Sequence, residues 1–191
     1  TQSRSSAASD VYKRQAQISA AQIFWQYNAE SNSIAVIMKH MAGNMLSRWT
    51  DFLTQDGEKE WRNRDAEFIN EFKTSTEVLD YWEKGWKRLF NALEQITDDH
   101  MDQFVTIRGE KLSVLDALLR QLAHYAYHVG QMVYLGKMIK DKEWQSLSIP
   151  RNESAEFNIE MLTQQKSSEM PKNSSPVCYA KSDEMRDEYK T

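Results

Sequence analysis

The stretch from about Ser113 to Lys140 constrains the fold most, because its side chains sort into two stripes at alternating steps of three and four. Leu115, Leu118, Leu122, Tyr125, Val129 and Met132 form an apolar stripe. Val114, Ala117, Gln121, His124, His128, Gln131, Leu135 and Met138 form a second stripe beside it, apolar at its ends and polar in the middle. This is the helical repeat, and a helix of this kind gains most of its stability by packing against other elements. Two earlier segments repeat the pattern. Ser31-Asn32-Ser33 offers cap oxygens to a helix from about Ile34 to Thr54, whose packing stripe is Ala35, Met38, Ala42, Met45, Trp49 and Phe52. Thr74 with Glu77 makes a capping box for a helix from about Ser75 to Ile96, with Leu79, Trp82, Trp86, Leu89, Leu93 and Ile96 at heptad spacing. Between the second and third helices, Phe104 to Leu112 alternates and turns at Arg108-Gly109, which reads as a short hairpin. The fold class is all-α.

The ends differ from this middle. Residues 1–15 are small, polar and aperiodic, and resemble translated adapter sequence; they are set aside as a leader. From Lys166 the composition turns to Ser, Lys, Glu and Asp, so residues 166–191 read as a disordered tail behind one domain of residues 16–165. That domain closes with a loop through Pro150 and a short helix. The net charge of −4, without a dominant Lys/Arg cluster, argues against a nucleic-acid partner. No apolar run is long enough to span a bilayer. A single cysteine, Cys178, excludes a disulfide framework and a cysteine-built zinc site, and fits the cytoplasm.

The polar middle of the second stripe carries the chemistry. His124 and His128 are four apart, so their imidazoles sit on one face with Cβ atoms about 5–6 Å apart. Two ligands make a weak metal site. On the first helix a further polar line runs through Ser33, Ile37, His40, Asn44 and Ser47, with Gly43 beside it permitting close backbone approach. Three neutral histidines suit zinc, nickel or another borderline divalent ion. Asn44, Gln121 and Gln131 are placed to orient the imidazoles from behind. The competing reading makes the same histidines satisfied polar groups of a core. His100, in a polar Asp-Asp-His loop, reads as solvated. Arg62 and Arg64, in Trp61-Arg-Asn-Arg-Asp65, are either an anion clamp for a substrate or loop residues in ion pairs. Other chemistries lack their motifs: there is no His-Glu-x-x-His, no helical Glu-x-x-His, no glycine-rich phosphate loop and no Gly-x-Ser-x-Gly.

Three segments, Ser31-Asn-Ser-Ile-Ala-Val-Ile-Met-Lys-His-Met-Ala-Gly-Asn44, Trp61-Arg-Asn-Arg-Asp65 and Gln121-Leu-Ala-His-Tyr-Ala-Tyr-His-Val-Gly-Gln131, resemble the DinB/YfiT-like metalloenzyme superfamily, nearest to a bacterial subgroup of unassigned function. The similarity covers about Ser19 to Asn158. It implies a four-helix bundle, often a homodimer, with a metal held by residues matching His40, His124 and His128. It also implies a long helix before Gln22–Gln26; residues 1–15 stand in its place, so the chain reads as a member lacking its first helix. Relatives act on small molecules, several as metal-dependent transferases of low-molecular-weight thiols. Three functional readings follow: a metal-dependent thiol transferase, a metal-dependent hydrolase, or a non-catalytic helical scaffold with a structural histidine cluster.

Overall fold

The computed structural model describes residues 17–169, which divide at residue 147 into two units. The fold is helical. In the first unit α1 spans Ile34–Trp49, α2 Ser75–Leu93 and α3 Val114–Lys140, with a hairpin of β1 (Phe104–Ile107) and β2 (Glu110–Ser113) ahead of α3. No helix among the described residues is long and apolar enough to cross a membrane.

Side-chain oxygens start each helix. Ser33 accepts from the Val36 N–H, Thr74 from Glu77 and Ser113 from Asp116. The expected capping box at Thr74 is half formed, because Glu77 Oε2 accepts from Lys73 N one residue further out. Two helices stop earlier than their stripes. At α1, Thr50 is extended and Asp51 turns left-handed at φ 48°, so the helix ends at Trp49 while Phe52 still reaches the core. At α2 the chain tightens after Leu93, with Ile96 N donating to Leu93 O three residues back.

Fourteen of the sixteen residues of α1 are buried, which makes it the central helix. It packs along α2 and meets α3 and the turn at Asp65–Phe68. Gly85 lets α1 and α2 touch, since a Cβ there would stand 2.9 Å from the Ala42 Cα. On α3 the core face draws on both stripes. Val114, Ala117, Gln121 and His128 of the second and Tyr125 of the first are buried, and Leu118, Val129 and Met132 pack against the core, while Leu115 and Leu122 of the first stripe are 47% and 66% exposed.

The hairpin forms where alternation placed it. Phe104 pairs with Ser113 and Ile107 with Glu110, and Arg108 (φ 57°) and Gly109 (φ 75°) supply the two left-handed residues of a primed turn. Val105 and Ile107 face the core. Asp56 fastens the turn by accepting from the N–H groups of Arg108 and Gly109, each at 2.8 Å.

In the second unit Asn152 is left-handed (φ 69°) and α4 runs over Ser154–Glu169, past the Lys166 boundary expected for the tail. Its Phe157, Ile159, Met161 and Leu162 are exposed. The leader of residues 1–15, most of the tail and Cys178 lie outside the described residues.

Candidate metal centre

His40 on α1 meets His124 and His128 on α3 inside the first unit. The Nε2 of His124 lies 3.3 Å from that of His40 and 3.1 Å from that of His128. The three rings meet edge to face, with centroids 4.7–5.4 Å apart. His40 and His128 are buried, and His124 is half-buried.

Each outer imidazole is turned by a hydrogen bond at its far nitrogen. His128 Nδ1–H donates to Gln131 Oε1 at 2.8 Å, three residues along the same helix. His40 Nδ1–H donates to Glu67 Oε2 at 2.9 Å. Both acceptors hold the proton on Nδ1, which leaves the Nε2 lone pairs pointing inward. His124 Nδ1 is buried without a hydrogen-bond partner among the described residues. Burial, and then the neighbouring His128 and His40, pull His124 down to about 4. Burial also lowers His128. A metal ion requires neutral imidazoles, and this surrounding favours them.

Glu67 gave no signal in the sequence, because it lies in the aperiodic connection between α1 and α2. Its loop is fastened onto α1 by Lys39, whose Nζ donates to the carbonyls of Ala66 and Ile69 at 2.8 and 2.9 Å. Gly43, one turn beyond His40, gives the carboxylate its berth: a Cβ there would stand 2.3 Å from Glu67 Oε1. What Gly43 admits is thus a carboxylate, where close backbone approach was expected. Burial alone would raise the pKa of Glu67, but the hydrogen bonds from His40 and Arg62 outweigh it and hold Glu67 below the usual range.

The other sequence-predicted residues take different places. Of the three amides expected behind the imidazoles, Gln131 is the one so bonded. Gln121 Nε2 donates to Asn44 Oδ1, tying α3 to α1 beside the cluster. The Arg62 side chain is 3% exposed, with Nε and Nη2 on Glu67 at 2.8 and 2.9 Å and Nη1 on Glu58 at 2.9 Å. It touches the cluster through Glu67. Arg64 is half-exposed and lies over the Phe68 ring at 5.0 Å, and Phe68 stacks on His40 at 4.6 Å. His100 accepts from Thr97 N and so closes its own turn.

A cleft of about 770 Å³ opens beside the cluster, lined by Tyr27, Ile37, Gln131, Tyr134, Leu135 and Met138 among others. Gln131 belongs to both, bonding His128 and forming cleft wall.

A family profile described as "Protein of unknown function (DUF1572)" matches residues 5–153. The chain belongs to this DUF1572 family. The match takes in His40, Glu67, His124, His128 and residues 5–15 of the polar leader, and it ends before α4. No curated protein matches the chain significantly.

Proposed function

We propose that this DUF1572 chain is a mononuclear metal-dependent enzyme of the DinB-like type. In this reading His40, His124 and His128 hold one zinc or nickel ion, and the group transferred is a low-molecular-weight thiol. The convergence of three Nε2 atoms carries the reading. Bonds of about 2.0–2.1 Å in tetrahedral array put ligand nitrogens about 3.3 Å apart, and the two separations from His124 Nε2 are 3.3 and 3.1 Å. The two separations from His124 match a tetrahedral donor set, and all three ligand nitrogens lie within 4.8 Å of one another. When bound, such an ion supplies positive charge that stabilises a thiolate or hydroxide nucleophile near neutral pH.

The chain's own residues do the rest. Glu67 and Gln131 keep the Nδ1 protons in place, so His40 and His128 present lone pairs and do not serve as proton carriers. Glu67 is itself held ionised by Arg62 and His40, which makes it an acceptor for positioning and a poor general base. Ile37, Leu135 and Met138 give the cleft an apolar wall for the body of a small electrophilic substrate.

The test is a transfer assay on protein loaded with zinc or nickel, using small thiols and a chromogenic aryl halide, beside an ester-hydrolysis assay. Metal-dependent thiol consumption that His128→Ala abolishes supports the reading. Ester hydrolysis alone would make water the nucleophile and the chain a hydrolase. A tightly held metal with neither activity would leave a structural clip in a helical scaffold.

A further inference from the structure

The cleft of about 770 Å³ beside the histidine cluster has a charge pattern that its apolar wall does not explain. Among its lining residues Glu30 alone is charged, and there is no lysine, arginine or histidine. Glu30 is exposed, and its carboxylate has no ion-pair or hydrogen-bond partner among the described residues. Its backbone N–H and the Ser31 hydroxyl both donate to Asn28 Oδ1, at 3.1 and 2.7 Å, so Asn28 braces the loop that brings Glu30 to the cleft. Two tyrosines share the wall, Tyr27 from the same loop and Tyr134 from α3, and both side chains are largely exposed. A carboxylate and two phenol rings lining one cleft are the chemistry that recognises an alkylammonium, whose charge is attracted to the negative ring faces and to the carboxylate.

The cations of the neighbouring helices lie off this wall. Lys39 on α1 is held by Glu71 and by the carbonyls of Ala66 and Ile69. On α3, Lys140 pairs with Glu143, and Lys137 is exposed and does not line the cleft. The cleft also has two distinct ends. Ile37 lies three residues before His40, and Gln131 bonds His128, so these two mark the inner end. Glu30 precedes the cap residue Ser33, which stands about 10 Å along α1 from His40, and Met138 lies two turns past Gln131 on α3; these mark the outer end. A divalent ion at the histidines would repel a cation from the inner end, which leaves the outer end for an ammonium group.

We propose that the outer end of this cleft, at Tyr27, Glu30 and Tyr134, binds the ammonium group of a small organic cation. A carboxylate or phosphate there would meet the Glu30 charge with no cation in the wall to offset it. That the cation is the enzyme's electrophilic substrate rests on the function proposed above; the binding of an ammonium group does not, and it needs no metal at the histidines.

Three probes of similar shape test it on the full chain, with and without zinc: choline, its neutral carbon analogue tert-butylethanol, and the tert-butylacetate anion. In nuclear magnetic resonance titrations choline should bind about tenfold more tightly than tert-butylethanol, from two ring faces and one exposed carboxylate acting together, and the anion should bind weakest. Glu30→Gln and Tyr134→Leu should each weaken choline binding about threefold while leaving tert-butylethanol unchanged; both side chains are exposed, so neither change removes core packing. Equal affinity for choline and tert-butylethanol, or choline binding untouched by both substitutions, overturns the proposal. Choline binding in a protein that transfers no thiol to any substrate would refute the enzyme reading and leave the ammonium site standing. Thiol transfer by a protein that does not bind choline would do the opposite.

Discussion

Gly43→Ala tests the link between Glu67 and His40 most sharply, because elementary expectation runs the other way. Inside a helix, replacing glycine by alanine stabilises by about 1 kcal/mol. Here the new Cβ would lie 2.3 Å from Glu67 Oε1 and 2.7 Å from its Cδ, so the carboxylate must move. The end of a glutamate is normally free to swing, but this one accepts from His40 and twice from Arg62. Moving it sacrifices at least the His40 bond, and a buried hydrogen bond to a charged group is worth about 1.5–3 kcal/mol. The balance is a loss of about 0.5–2 kcal/mol where a gain is usual. His40 also loses the acceptor that fixes its proton on Nδ1, which should weaken metal binding about 10–100-fold. Urea unfolding of the metal-free protein and chelator competition of the loaded protein read the two effects separately. A Gly43→Ala protein that is about 1 kcal/mol more stable and binds metal unchanged would refute the reasoning. Glu67→Gln should reproduce the affinity loss without the steric change.

Gly85→Ala is expected to cost about 1–3 kcal/mol by urea unfolding, because its Cβ would meet Ala42 backbone at 2.9 Å, which cannot swing aside; an unchanged midpoint would mean that α1 and α2 lie further apart. The metal-free protein should lose stability as pH falls from about 6.5 to about 4. Over that range the unfolded chain takes up a proton that folded His124 refuses, a difference of about 3 kcal/mol at full extent, and above pH 6.5 this contribution is flat. His124→Gln should flatten that part of the profile when unfolding is followed by circular dichroism across the range.

Much of the site was legible because helices repeat. His124 and His128 share a face by spacing alone, and His40 stood out in a polar patch on a largely apolar helix. What spacing could not say was that the two helices meet at those levels. Glu67 was out of reach for a different reason: a loop has no period, and the Lys39 contacts that place it join residues 27 and 30 positions apart. Gly43 was the available sign, since a glycine next to a ligand in a buried helix implies that something approaches closely. Arg62 and Arg64 look alike in the sequence, yet the side chain of one is buried on two carboxylates and the other lies half-exposed over Phe68. The polar island on α3 calls for partners once its helix face is buried, and Asn44, His40 and Gln131 supply them.

The central claim is that His40, His124 and His128 hold a metal ion. Elemental mass spectrometry on full-length protein, purified without chelator or nickel affinity resin, measures this directly, with His128→Ala run alongside. A three-histidine centre requires about one divalent ion per chain in the unaltered protein and loss of that ion in a folded His128→Ala protein. A folded, helical protein that carries no metal and takes up neither zinc nor nickel would contradict it.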